Sequence, residues 1–306
     1  MPVVALATVV AAGKSNYTEQ QYQDLVGLTD RRQLLHRNHF PSGLRCNLHM
    51  KDIEYGPTID NPLGYSIDEW FCELCQEDAD RLGLIHPYLD IVDATSILPA
   101  NTKPGQSVLT ATKATIDFVE GTLHISKKAK VSVEARQQSL THRRSRNLMA
   151  TKGAFKTLVI RVIDSRGVSP DADHDQLIND VFKDRASLKT QFGACSYGKL
   201  RIRPFSGETE TKLEIRDGIV DLHIDYDASG GGQGGDRKAL HHATLLSASE
   251  KIGDLRSQFD LILICMPPGT GGWLAYALVN DKLSFYNNHW CSYVSGQLHE
   301  VGHNLG

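Results

Sequence analysis

Long hydrophobic runs, a marked charge excess and internal repeats are all missing from this sequence. No apolar stretch reaches the roughly 18 to 20 residues that a membrane-spanning helix needs, so we expect no membrane span. Lys and Arg total 33 against 36 Asp and Glu, a formal net charge of −3. Because nucleic-acid binding normally shows as a basic domain or face, we expect no nucleic-acid partner. No internal repeat is visible.

Cysteine is also scarce, with six residues among 306. That number suits a secreted protein with up to three disulfides, and equally a cytosolic protein with buried thiols. The apolar run Val3–Ala12 has small residues at the spacing that a signal peptidase accepts, although no Lys or Arg precedes it. Residues 1–13 are therefore interpreted as a signal peptide, with a truncated start or an ordinary buried strand as the alternatives. The sequon Asn16-Tyr17-Thr18 is compatible with secretion, and we expect an extracellular protein.

The length of the chain predicts two domains, because 306 residues exceed what one hydrophobic core normally holds. Within residues 14–146, the strand-like segments Thr115–Val119 and Thr122–Ile125 flank a Glu120-Gly121 turn and predict a hairpin. The stretch Ser132–Ala150 has no hydrophobic period and is interpreted as a linker. We therefore expect a small β-rich domain over residues 14–146.

Residues 147–306 predict a sheet of mixed direction covered by helices, and hence an α+β fold. Apolar and β-branched runs predict the strands, and apolar residues at helical spacing predict the helices. The glycine-rich stretch Ser229–Gly235 lacks the Lys-Ser/Thr end of a P-loop and is interpreted as a surface connection. The expected strands are Phe155–Ile163, Lys199–Phe205, Ile219–Tyr226 and Phe259–Met266, and the expected helices are Asp171–Phe192 and Asp236–Ser249.

The strongest chemical pattern is the run His299-Glu300-Val301-Gly302-His303-Asn304-Leu305-Gly306. On a helix, His299 and His303 lie one turn apart on the same face, so both imidazoles can bind one Zn²⁺ at about 2.0 to 2.1 Å. Glu300 can reach a water in the open coordination position, which makes it the candidate general base. Gly306 lets the helix stop and the backbone turn sharply. These residues predict a zinc peptidase that works without a covalent intermediate.

This run resembles the first eight positions of the metzincin signature H-E-x-x-H-x-x-G-x-x-H. Within that clan the chain is most similar to the gametolysin family, secreted zinc peptidases of algae and related protists. The likeness covers roughly residues 156–306 and also rests on three shorter segments, Ala194–Leu200, Cys265–Gly269 and Gly272–Ala275. It implies a metzincin upper subdomain, with a twisted mixed sheet, two helices behind the zinc helix and a substrate cleft beneath an edge strand. By position, that edge strand would be Ala275–Val279 or Leu283–Tyr286.

The sequence departs from the signature at its end. It stops at Gly306, whereas the third histidine would fall three residues further on, and catalytic zinc sites use three protein ligands plus water. The lower subdomain and the methionine turn of metzincins are likewise expected to be absent from the chain as written. His289 lies upstream, but no spacing selects it as the missing ligand. The alternative to an active peptidase is therefore a truncated or degenerate homologue that acts as a non-catalytic binding module.

The resemblance also gives residues 14–146 a role, because secreted peptidases of this kind are commonly made as inactive precursors. Arg143 and Arg146 frame a processing site of the R-x-x-R form, with a solvated basic linker as the alternative. A prodomain thiolate could occupy the open zinc position, and Cys46, Cys72 and Cys75 are the candidates. A Cys72–Cys75 pair or buried thiols are the other interpretations of these cysteines.

The resemblance thus predicts a secreted zinc metalloendopeptidase whose Zn²⁺ is held by His299 and His303 and whose general base is Glu300. Its substrates would be proteins or glycoproteins of an extracellular matrix or cell wall. The sequence carries no signal for cleavage preference or oligomeric state.

Overall fold

The computed structural model describes residues 43–84, 87–117, 121–136 and 152–306, and the chain divides into two compact units. The first unit contains the residues up to Met50 together with Glu69–Gln137, and the second contains Lys51–Asp68 and Gln138–Gly306. The division falls inside the strands β1 (Leu44–Tyr55) and β2 (Tyr65–Glu73). The predicted signal peptide at residues 1–13 and the predicted boundary after residue 146 lie outside the described residues.

The first unit is a sheet with two short helices. Its strands are hydrogen-bonded in the order β7-β4-β1-β2-β3-β6-β5, with β3 and β6 parallel and β4 antiparallel to both β1 and β7. The leucines Leu48, Leu89, Leu109 and Leu123 are fully buried in its core. After β1 and β2, the elements are α1 (Gln76–Leu82), β3 (Tyr88–Ile91), α2 (Ala94–Ile97), β4 (Ser107–Ala111), β5 (Ala114–Asp117), β6 (Thr122–Ile125) and β7 (Val131–Ala135).

The predicted hairpin is present in the first unit, since β5 pairs antiparallel with β6. The linker predicted over Ser132–Ala150 is wrong at its beginning, because β7 runs to Ala135 and pairs with β4. Val131 and Val133 pack against the core of the unit, and they are two residues apart, so they lie on the same face of β7.

The second unit is a mixed sheet with helices. Its strands follow the order β12-β8-β13-β15-β14-β1, and β9 pairs with the first half of β8. The elements are β8 (Gly153–Ile163), α3 (His174–Ile178) followed by a π-turn (Asn179–Lys183), α4 (Leu188–Cys195), β9 (Leu200–Pro204), β10 (Gly207–Glu208), β11 (Glu214–Ile215), β12 (Ile219–His223), a 3₁₀ turn (Gly230–Gly232), α5 (Arg237–Ile252), α6 (Leu255–Gln258), β13 (Leu261–Met266), β14 (Trp273–Leu278), β15 (Leu283–Asn287), a second 3₁₀ turn (Asn288–Ser292) and α7 (Val294–Leu305).

Strand direction in the second unit confirms the α+β class with a mixed sheet. β12, β8, β13 and β15 run parallel, whereas β14 is antiparallel to β15. Every residue of β13 is buried, as expected of a parallel strand that is covered on both faces. Among the residues that the structure describes, no helix is both long and apolar enough to cross a membrane.

Two expectations for this unit are corrected. The single helix predicted over Asp171–Phe192 is two helices, because Asp184 is extended and the Ser187 side chain caps a new helix by accepting from the Thr190 amide. The edge strand predicted at Ala275–Val279 or Leu283–Tyr286 is neither of these: β15 lies between β13 and β14, and the outer side of β14 pairs with β1.

Candidate metal centre

The N-terminal part of α7 is fixed by a buried hydrogen bond and a disulfide. Gln297 is fully buried, and Nε2 of its side chain donates to the carbonyl oxygen of Cys291 at 2.6 Å. Cys291 is itself bonded to Cys265 of β13. Because a strand at the centre of the sheet thus holds the turn that precedes α7, the start of the helix has a defined position.

The C-terminal part of α7 is fixed by Asn304. Its buried Nδ2 donates to the carbonyl oxygens of Leu278, at the end of β14, and Leu283, at the start of β15, at 3.0 and 2.9 Å. Gly306 follows the helix with φ +94°, in the region that favours glycine. The positive φ is therefore the reason why this position favours glycine.

The helix presents His299 and His303 on one face, one turn apart. Their Nε2 atoms are 3.1 Å from each other. The side chain of His299 is 51% exposed and that of His303 is 26% exposed, so the pair lies at the surface of the second unit. Two imidazole nitrogens that face each other at this distance can share one hydrogen bond or one cation.

Two carboxylates from β1 face this pair of histidines. Oε1 of Glu54 is 3.2 Å from Nε2 of His299, and Oδ2 of Asp52 is 3.5 Å from Nε2 of His303. Both belong to the second unit. Across the described ranges, Glu54, His299 and His303 are the one group of at least three such side chains whose ligand atoms all lie within 4.8 Å of one another.

Glu300 lies buried next to these groups, with 1% of its surface exposed. Its Oε2 has no hydrogen-bond partner among the described residues. Burial, followed by the negative charges of Glu54 and Asp52, raises the pKa of Glu300 to about 9. Burial and the charge of Asp52 also raise the pKa of Asp68, against the opposing effect of His303. An array of carboxylates whose pKa values are raised is an environment that a bound cation would stabilise.

Sequence reasoning found the histidines and Glu300 but missed Glu54 and Asp52. The signal available was weak: Lys51-Asp52-Ile53-Glu54-Tyr55 alternates in a way that predicts a strand with both carboxylates on one face. Nothing in that pattern points to His299, which is 245 residues away.

The remaining candidate residues are three cysteines, His289 and the pair Arg143 and Arg146. Cys46 and Cys72 form a disulfide, so the proposal that either supplies a thiolate to the zinc is wrong, and so is a Cys72–Cys75 pair. Cys75 keeps an exposed thiol, and its role stays a prediction. His289 contacts the rings of Trp290 and Tyr293 and does not belong to the candidate group of Glu54, His299 and His303. The predicted processing site with Arg143 and Arg146 lies outside the described residues.

Comparisons with protein-family models, with curated proteins and with solved structures find no match. A functional interpretation of this site therefore rests on its own residues.

Proposed function

We propose that this chain is a secreted, zinc-dependent metalloendopeptidase of the gametolysin type. The observation that carries the proposal is the convergence of His299 and His303 beside the buried carboxyl of Glu300. The ligand-atom separations of 3.1 and 3.2 Å are close to the distance of about 3.3 Å that tetrahedral Zn²⁺ with bonds of about 2.0 to 2.1 Å requires. The donor set, two imidazoles and a carboxylate, suits zinc.

Each residue has a distinct role in this proposal. His299 and His303 hold the metal on a helix whose two ends are fixed to the sheet. When bound, Zn²⁺ acts as a Lewis acid on the scissile carbonyl and on water. Glu300 accepts the proton of the attacking water and passes it to the leaving amine, and the neighbouring positive charge favours the ionised carboxylate that this step needs.

The proposed setting is extracellular. The disulfides Cys46–Cys72 and Cys265–Cys291 support it, because such bonds persist mainly in oxidising compartments. A proteinaceous substrate, such as a matrix or cell-wall glycoprotein, follows from the resemblance alone. Processing at Arg143 and Arg146 belongs to the same proposal.

Zinc stoichiometry and peptide hydrolysis test this function. The parent chain should bind one Zn²⁺. His303→Ala should lose most of the zinc affinity. His124→Ala, which removes an exposed histidine of β6, should keep it. Glu300→Gln should keep the metal and lose hydrolysis of casein or a quenched fluorescent peptide by about 10²-fold or more. Hydrolysis is measured in two chains, the parent and Glu54→Ala. Glu54→Ala is included because the Glu54 carboxylate contacts His299.

Two results would contradict the proposal. If the parent and Glu54→Ala both bind zinc but neither hydrolyses peptides in a way that depends on Glu300, the site is not that of a peptidase. Such a result favours the non-catalytic binding module. If neither chain binds zinc, the metal assignment itself is wrong.

A further inference from the structure

The strand β12 lies at one end of the strand order of the second unit, and its strand neighbour among the described residues is β8. The two strands are parallel, and the amide of Ile224 donates to the carbonyl oxygen of Ile163 at 2.9 Å. Successive residues of a strand direct their backbone groups to opposite sides. Ile219, Asp221 and His223 therefore direct their amides and carbonyls away from β8, towards the free side of the sheet.

The two ends of this free side are hydrogen-bonded, whereas its middle is not. The amide of Ile219 donates to the carbonyl oxygen of Arg216 at 3.3 Å, and the side chain of Lys251 donates to the carbonyl oxygen of His223. Between these bonds lie the amide and carbonyl of Asp221 and the amide of His223, which have no hydrogen-bond partner in the part of the chain that the structure describes. Such unpaired strand groups are a template for another extended chain.

A cavity of about 430 Å³ lies along the same edge. It is lined by Val220–His223 of β12, by the turn Thr211–Leu213 between β10 and β11, and by Lys251 and Ile252 at the end of α5. The Thr211 side chain donates to the carbonyl oxygen of Lys251 and so joins the turn to the helix. The volume is within the range of about 300 to 1,000 Å³ that is typical of ligand sites. The unpaired backbone groups thus border a space that can hold a short segment of chain.

Basic side chains outnumber acidic ones around this cavity. Its lining includes one carboxylate, that of Asp221, and three basic side chains, those of Lys212, Lys251 and His223. The Asp221 carboxylate already contacts Arg161 at 3.3 Å and His174 at 3.0 Å. Lys212 lies 3.6 Å from Glu208, but both side chains are exposed, and such pairs contribute little. The charge of the cavity therefore favours an acidic side chain on whatever occupies it.

We propose that the free edge of β12 is a binding groove for an extended peptide that carries an acidic side chain. The amide and carbonyl of Asp221 exchange hydrogen bonds with one residue of the peptide, and the amide of His223 donates to a second residue. Strand addition of this kind is a general mode of peptide recognition. The inference goes beyond the proposed function, because none of these residues belongs to the candidate metal centre.

A second copy of the chain fits this edge less well than a peptide does. The unpaired groups are centred on Asp221, so two β12 strands that pair antiparallel about a two-fold axis there would set Asp221 against its own copy. Like charges directly opposite each other destabilise a strand pair. A peptide with an acidic side chain beside the lysines avoids this repulsion.

The probe is a fluorescein-labelled peptide, Thr-Val-Thr-Glu-Thr-Val-Thr, whose β-branched residues favour an extended strand. Two matched peptides serve as controls: one is N-methylated at its five central amides, and the other has Gln in place of Glu. Fluorescence anisotropy measures binding to the full chain at pH 8. Hydrogen exchange of residues 219–223, with and without the peptide, locates the binding.

The matched protein variants are His223→Pro and His223→Ala. Proline removes the outward amide of His223, whereas alanine keeps it, and the bonds to β8 are made by the neighbouring residues in both variants. Circular dichroism checks that both variants fold. If His223→Pro does not fold, hydrogen exchange in the parent and the N-methylated peptide decide the question.

The parent should bind the Glu peptide saturably below about 1 mM. Loss of a backbone hydrogen bond should make His223→Pro bind about 10-fold more weakly than His223→Ala. The Gln peptide should bind about 2- to 5-fold more weakly than the Glu peptide at low salt, and the N-methylated peptide should not bind. Exchange of residues 219–223 should slow when the Glu peptide is bound.

The groove is disproved by any of three results: no saturable binding of the Glu peptide, equal affinity of folded His223→Pro and His223→Ala, or unchanged exchange of residues 219–223. Equal affinity for the Glu and Gln peptides would overturn the acidic preference. A dimer of the parent that His223→Pro abolishes would show that a second copy occupies the edge instead. Failure of the proposed function leaves all these measurements unchanged, because none of them requires metal or hydrolysis.

Discussion

At the scale of single residues, the charge of Glu300 is the main determinant of how the site behaves without metal. Its carboxyl is buried, one oxygen lacks a hydrogen-bond partner among the described residues, and two further carboxylates lie near it. The folded chain therefore favours the protonated form. A bound cation would reverse this preference and would couple its own binding to the ionisation of Glu300.

The raised pKa of Glu300 predicts a pH dependence of stability for the metal-free chain. The pKa of Glu300 rises from 4.5 to about 9, so between these values the unfolded chain loses a proton that the metal-free folded chain retains. Stability from this group therefore falls as pH rises through that window. We expect metal-free Glu300→Gln to be more stable than the parent at pH 8, with the difference vanishing near pH 4. Urea denaturation at both pH values measures this.

Glu250→Gln, at an exposed position of α5, is the matched control and should leave stability unchanged at both pH values. A Glu300→Gln chain that is less stable than the parent at pH 8 would show that the buried carboxyl of Glu300 does not destabilise the folded chain at that pH.

At the scale of elements, the sequence predicts a strand or helix correctly where its local pattern is strong. β8 and β13 are apolar runs that must be buried, and α7 carries a motif. It failed where tertiary contacts decide: β1 alternates charged with apolar residues, and it becomes a strand because β4 and β14 pair with it. Local patterns do not contain such non-local pairing.

The disulfide at the start of α7 gives an element-scale prediction. Cys265 and Cys291 are 26 residues apart, and closing a loop of that size stabilises a protein by roughly 3 kcal/mol. We expect the double variant Cys265→Ala, Cys291→Ala to lose about that much free energy of unfolding and to bind zinc more weakly. Chemical denaturation and metal titration measure the two effects.

Cys195→Ala removes an exposed free thiol from the same unit and serves as the control, with no expected change in either quantity. An unchanged zinc affinity in the double variant would mean that Gln297 and Asn304 are sufficient to position the helix.

At the scale of the whole molecule, the excursion of Lys51–Asp68 into the second unit is the feature that the sequence conceals. A domain boundary is predicted from composition and linkers, and this segment has neither a linker before it nor one after it. It adds the carboxylate of Glu54 to a candidate site of two histidines and a glutamate. Only the fold brings residues 54 and 299 together.

Metal binding should be visible as stability of the whole second unit, because a ligand that binds only the folded chain stabilises it. Free Zn²⁺ at 100 times the dissociation constant should add about 2.7 kcal/mol to the free energy of unfolding. His299→Ala should abolish the increase in thermal midpoint that zinc produces in the parent. Calorimetry with and without zinc tests this, and an equal zinc-dependent shift in His299→Ala would place the metal elsewhere.

The pairing of Ile53 with Tyr276 shows how an extended segment lies along the outer edge of β14. Ile53 is fully buried, and partners directly opposite in an antiparallel pair share one face of the sheet. If substrates follow the same path, they should carry an aliphatic side chain at the position equivalent to Ile53. Cleavage of a peptide library by the zinc-loaded chain should then be enriched in Ile, Val and Leu at one subsite, and a flat profile there would mean that substrates take another route.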